Sequence, residues 1–201
     1  MLDVLKRQWV RHVKDNPITY LLIVFIFITG IMAGAFTVIS LSSQQKIKVS
    51  NFLQEFFNSQ QSFSINRWAI LKESLWQHLI TSLFIWFFGL FIWGIPFILL
   101  IVGIRGFSFG FTIGFMVEHY KFGGFLFSLI CILPQSIIYV PCYIGMGIVA
   151  IHFSLNRIQR PKQTGQYSTR IVIIFLILML GVSIETFISP FLFPLFIWIF
   201  R

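Results

Sequence analysis

From Ile18 to Leu41 the sequence runs without one charged side chain. A run of that length has no core to hide in, but it matches a bilayer core about 30 Å thick, which takes about 20 apolar residues of helix. Four more predominantly apolar stretches follow, at about Leu75–Ile101, about Gly103–His119, Phe122–Phe153 and about Ile171–Phe200. Hydrocarbon offers backbone N–H and C=O groups no water to bond, so these runs are expected as helices. Composition points the same way: 10% of residues are charged and mean hydropathy is +0.88, against about 25% charged in an ordinary soluble domain. The expected fold class is all-α, a polytopic membrane protein with about five transmembrane helices. Residues 1–201 are expected to form one integral membrane domain.

The basic residues set the orientation. With the N-terminus inside, Lys6, Arg7, Arg11, Lys14, Arg105, Arg157, Arg160, Lys162 and Arg170 face the cytoplasm, and Lys46, Lys48, Arg67, Lys72, Lys121 and Arg201 face outward. The inner group is larger and crowds against span ends, so the N-terminus is expected inside and the C-terminus outside. The basic head followed by Ala33 and Ala35 imitates a secretory signal, but its apolar stretch is too long for one, and it is expected to remain as an anchor. The net charge of +9 is concentrated where loops meet lipid, so membrane lipid is an expected partner and nucleic acid is not.

Two loops stand out: a basic cytoplasmic one at about 154–170 and an outer one at about 42–74. In the outer loop Val49, Phe52, Leu53, Phe56 and Phe57 fall on one helical stripe, with Lys48, Asn51, Gln54, Glu55 and Asn58 over the remaining surface. This is the pattern of an amphipathic helix lying in the outer interface. Phe52, Phe56 and Phe57 are also the candidate residues for docking an extracytoplasmic partner.

Two rival arrangements remain open. Gly106 to His119 makes only about 21 Å of helix, so 106–133 also fits a re-entrant hairpin of half-helices. Alternatively, a turn at Gly94 and Pro96 leaves Arg105 near mid-membrane, where it needs a partner and Glu185 is the natural one.

Gly106, Gly110 and Gly114 repeat at four-residue spacing, as do Gly30 and Gly34. Glycine costs a helix about 1 kcal/mol against alanine, and small residues at this spacing let helices approach closely in lipid. The two sets are expected as helix-packing faces, with self-association as a second use. Arg105, Gln135 and Glu185 are the intramembrane polar residues. Gln135 can satisfy a backbone group freed by Pro134. Glu185, deep in the last apolar stretch, is a coupling site for protons or ions, a carboxyl bonded to a neighbouring helix, or one brought near the outer interface by a helix break before Pro190. Glu118, His119, His78 and His152 are expected near interfaces. Cys131 and Cys142 lie about 16 Å apart along a helix, too far for a disulfide. No nucleophile elbow, phosphate loop or metal-ligand spacing is present. Neither catalytic residues, cofactor nor metal are therefore expected, and an enzyme is not.

Three stretches together resemble the stage II sporulation protein M family: "WVRHVKDNPITYLLIVFIFITGIMAGAFTV", "GIPFILLIVGIRGFSFGFTIGFMV" and "GGFLFSLICILPQSIIYVPCYIGMGIVAIHFSL". Arg105 stands where the family pattern suggests lysine, which keeps the charge. The resemblance implies a role in engulfment during endospore formation. It implies a membrane scaffold that localises two peptidoglycan-degrading enzymes, a lytic transglycosylase and a cell-wall amidase, at the septal or engulfing membrane of the mother cell. The rival expectation is a small transporter or channel built on Glu185 and the proline-broken fourth segment.

Overall fold

The computed structural model describes residues 17–51, 67–156 and 164–199, with side chains described as far as Thr186. All regular structure among them is helical. Helix α1 is Pro17–Ser40, and residues 43–51 form a further helical piece, α2. Helix α3 is Arg67–Gly89, α4 Ile95–Phe127, α5 Leu133–Asn156 and α6 Thr164–Ile199. Among the described residues four stretches are long and apolar enough to cross a membrane: Pro17–Ser40, Ile92–Ile130, Leu133–Asn156 and Thr164–Thr186. The protein is a multi-pass membrane protein.

The apolar run expected as one span at Leu75–Ile101 is broken. Helix α3 ends at Gly89, a 3-10 turn occupies Ile92–Gly94, and α4 starts at Ile95. A β-carbon on Gly94 would overlap the Phe88 carbonyl oxygen, so only glycine lets the chain turn this tightly. Pro96 follows in the first turn of α4, where its missing N–H costs no hydrogen bond and its fixed φ suits a helix. The Phe91 carbonyl accepts the Gly94 N–H at 3.0 Å in this turn and also the Ser154 hydroxyl from α5 at 2.8 Å. This is the arrangement with a turn at Gly94 and Pro96, and it carries Arg105 out of the loops and into the bundle.

Helix α4 also reverses. Lys121 sits at φ 52°, ψ −127°, a conformation of the first inner position of a type II′ turn and one that favours glycine. Beyond it the chain folds back so closely that a β-carbon on Gly124 would strike the Met116 carbonyl. The limb from Ile95 to Tyr120 is about 39 Å long, a full span and not a re-entrant half-helix. The returning limb passes through a π-helical turn at Ser128–Ile132 and continues into α5. Pro134 opens α5 and Pro141 lies inside it. Taking the returning limb of α4 together with α5 as one run, five long helical runs pack together among the described residues.

Helix α5 is central, with 56% of its most apolar stretch buried against 22–28% in the other three spans. Its Cys142, Tyr143, Met146, Ile148, Ala150 and Ile151 form the core with Ile23 and Phe27 of α1, Ile98 and Val102 of α4, and Leu178 and Val182 of α6. Helices extend past the apolar stretches: α3 begins at Arg67 and α6 at Thr164, so both connecting loops are shorter than hydropathy alone indicates. Tyr167 explains the early start of α6, since it stacks on Phe153 at 4.2 Å and donates to the Trp86 carbonyl at 2.8 Å.

Candidate functional site: a polar chain inside the bundle

Two features distinguish this bundle from a plain apolar one. The first is the seam between α1 and α4, which run parallel. A β-carbon on Gly106 would overlap the Phe27 carbonyl oxygen, and one on Gly110 the Ile31 carbonyl oxygen. Reciprocally, β-carbons on Gly30 and Gly34 would overlap the carbonyl oxygens of Gly103 and Phe107. A β-carbon on Gly114 would lie 3.2 Å from the Ala35 Cα. The two backbones therefore touch without intervening side chains, the close approach that makes Cα–H···O contacts available.

The second is a connected set of polar groups contributed by α3, α4, α5 and α6. Tyr139 and Tyr143, four residues apart on α5, share a face. Tyr139 donates its hydroxyl to Glu185 Oε2 at 2.6 Å. Gly181, one turn before Glu185, makes the space: a β-carbon there would come within 2.9 Å of Tyr139 Cδ1. His78 lies between the two tyrosines. Its Nε2 is 3.9 Å from Glu185 Oε2, its Nδ1 is hydrogen-bonded to the Tyr143 hydroxyl, and its ring packs on that of Tyr139 at 4.3 Å. The Arg105 guanidinium lies 5.0 Å above the Tyr143 ring, within range of a cation–π contact. It donates through Nη2 to Thr81 Oγ1 and, at 3.1 Å, to the Gln77 carbonyl.

The helical period assembles this chain. Thr81 stands one turn beyond the adjacent Gln77 and His78 on α3, as Tyr143 does beyond Tyr139 on α5 and Glu185 beyond Gly181 on α6. The sequence expectation placed His78 at an interface; instead its side chain is only 8% exposed. Arg105 and Glu185 are brought into one chain but do not pair directly, because His78 and Tyr143 stand between them. Gln135 lies one turn before Tyr139 on α5, half-buried. The signal that finds His78 beforehand is its i, i+3 spacing with Thr81 on a helix otherwise buried along that face, which hydropathy averaging conceals. Cys142 is a buried free thiol beside Tyr143.

At the end of the bundle near Lys121, α2 is tied to α4. Lys46 Nζ meets Glu118 Oε1 at 3.0 Å, and Ser50 Oγ lies 3.2 Å from His119 Nε2. These contacts hold α2 against the end of the first limb of α4. Phe52, Phe56 and Phe57 lie outside the described residues. Among the described residues no three His, Cys, Asp or Glu side chains converge as metal ligands.

A family model described as Stage II sporulation protein M matches residues 23–190. The match runs from within α1 to within α6 and so takes in both the glycine seam and the polar chain. Comparison with curated proteins and with solved structures returned no match.

Proposed function

This chain belongs to the stage II sporulation protein M family, and we propose that it serves as the membrane scaffold that holds peptidoglycan-degrading enzymes in place during engulfment. The family match is the observation that carries this reading. Its scope, a sporulation-related multi-pass membrane protein, is narrowed by two further considerations. The helical runs are spent on packing against one another, through the glycine seam and the α5 core. Helix α2, which immediately precedes Phe52, Phe56 and Phe57 in sequence, is anchored to α4 by Lys46 on Glu118 and Ser50 beside His119, which suits a docking element held at the membrane surface.

On this reading the chain itself performs no hydrolysis. The bonds are cleaved by a cell-wall amidase and a lytic transglycosylase, which the scaffold positions at the septal or engulfing membrane. The N-terminus lies inside and the segment between α2 and α3 outside, facing the wall.

The test is capture of the tagged protein from its native membrane in mild detergent, followed by mass spectrometry. Recovery of an amidase and a transglycosylase with the intact protein is expected. An intact, folded preparation that brings neither removes the scaffold reading.

A further inference from the structure

Arg105 lies about 15 Å along α4 from its start, and Gln77 about 18 Å from the end of α3 at Gly89. Both are near the middle of a bilayer core about 30 Å thick. The guanidinium is not drawn toward either surface. It is pinned in place by Thr81 Oγ1, the Gln77 carbonyl and the face of Tyr143. All three are neutral. The one carboxylate in this polar network, Glu185, is bonded by Tyr139 and faces His78, and among the described residues no acidic side chain pairs with Arg105. Its Nη1 and Nε meet no acceptor among those residues.

The location of this charge matters as much as its incomplete pairing. Arg105 is half-buried and Gln77 is exposed, so the pair opens on the outside of the α3–α4 contact. Around them Trp76, Phe84 and Ile104 are exposed apolar side chains of a lipid-facing surface. A half-satisfied guanidinium at that depth is expensive, and intramembrane charges of this kind mark sites where another group pairs with them.

We propose that Arg105, with Gln77 beside it, is a docking site within the bilayer for an acidic side chain on a transmembrane helix of a partner protein. A lipid phosphate stays at the headgroup level, about 15 Å from the middle of the core, whereas a carboxylate on a crossing helix reaches mid-depth. A second copy of this chain is a poor source. Of its six acidic residues, Asp3 and Asp15 precede α1, Glu55 falls between α2 and α3, Glu73 and Glu118 are near helix ends, and Glu185 is already bonded. The inference rests on the scaffold reading for its biological meaning and adds that at least one partner is recognised through its membrane anchor.

The test uses the full-length protein, fluorescently labelled, in phosphatidylcholine vesicles at neutral pH. It is mixed with labelled leucine-rich single-span peptides that differ only in their central residue: Asp, Asn or Leu. Energy transfer is expected to show the Asp peptide binding at least about 10-fold more tightly than the Leu peptide, with Asn well below Asp. Arg105→Gln should erase the difference. Equal transfer for the Asp and Leu peptides with folded wild-type protein overturns the proposal, as does an Asp preference that survives Arg105→Gln. If that variant does not fold, a peptide with a central Lys is compared on the wild-type protein and is expected to bind no more tightly than the Leu peptide; Lys binding equal to Asp binding overturns the site's charge preference. Loss of the preference when phosphatidylglycerol is added assigns the site to lipid phosphate and likewise overturns it. Because the peptides are synthetic, failure here is separate from failure of the capture experiment.

Discussion

Gly110→Ala is the sharpest test of the α1–α4 seam. The added methyl would overlap the Ile31 carbonyl oxygen and lie 2.7 Å from the Ile31 carbonyl carbon and 2.8 Å from its Cα. Carbon atoms pack at about 3.5–4.0 Å, so α1 must retreat by about 1 Å. The obstacle is backbone, and no rotamer change relieves it. A gap of about 0.5–1 Å forfeits a quarter to a half of each dispersion contact, and the Cα–H···O contacts along the seam, about 0.5–1 kcal/mol each, weaken with it. Overpacking of this kind costs about 1–3 kcal/mol, from which alanine's helix advantage of about 1 kcal/mol is subtracted. Taking the upper end of the overpacking range, the net expectation is a loss of about 2 kcal/mol. Gly103→Ala is the control: its nearest neighbour is Ile26 Cγ2 at 3.4 Å, so alanine should be neutral or stabilising by up to about 1 kcal/mol. Gly114→Ala, 3.2 Å from Ala35 Cα, should fall between. Reversible unfolding in mixed detergent micelles, followed by tryptophan fluorescence, measures the series. Equal stabilities for the Gly110 and Gly103 variants would refute the seam.

Three further outcomes are expected. Glu185→Leu strands the Tyr139 hydroxyl and removes the carboxylate facing His78, costing about 2 kcal/mol, whereas Glu185→Gln keeps an acceptor for Tyr139 and costs less; equal losses in the same unfolding assay would contradict the hydrogen-bonded role. Lys121→Gly relieves a positive φ at the α4 reversal and should raise stability by about 1 kcal/mol, read as a higher melting temperature; a lower one counts against the turn. Replacing Phe56 and Phe57 together with alanine should sharply reduce co-capture of the amidase while leaving melting unchanged, and undiminished co-capture speaks against that segment as the docking element.

Much of the architecture is legible in sequence because lipid imposes a local rule. An apolar run long enough to cross the bilayer must satisfy its own backbone, so it forms helix wherever it packs. The uncharged stretch from Ile18 to Leu41 and the returning limb beyond Phe122 follow from that rule alone, as does the all-helical class. The four-residue glycine spacing is likewise a property of one helix face and needs no partner to be noticed. Hydropathy fails where chain direction changes inside apolar sequence. The turn at Leu90–Gly94 carries Phe, Ile and Trp, and its only local marks are Gly94 and Pro96. The early starts of α3 and α6 also escape it, since polar first turns held by packing, as at Tyr167, carry no apolar signal.

What the sequence by itself determined is the material: helical spans, two glycine-bearing faces, one glutamate deep in the last apolar stretch, and an arginine whose depth it left open. Tertiary structure alone decided which of these meet. Parallel packing of α1 on α4 set the glycine faces against each other's carbonyl oxygens, a register no single helix encodes. The turn before α4 carried Arg105 to mid-depth, and the crossing of α3, α5 and α6 placed His78 between Tyr139 and Tyr143, separating arginine from glutamate. That separation is a matter of depth and angle between helices far apart in the chain, and it leaves an incompletely paired positive charge facing lipid.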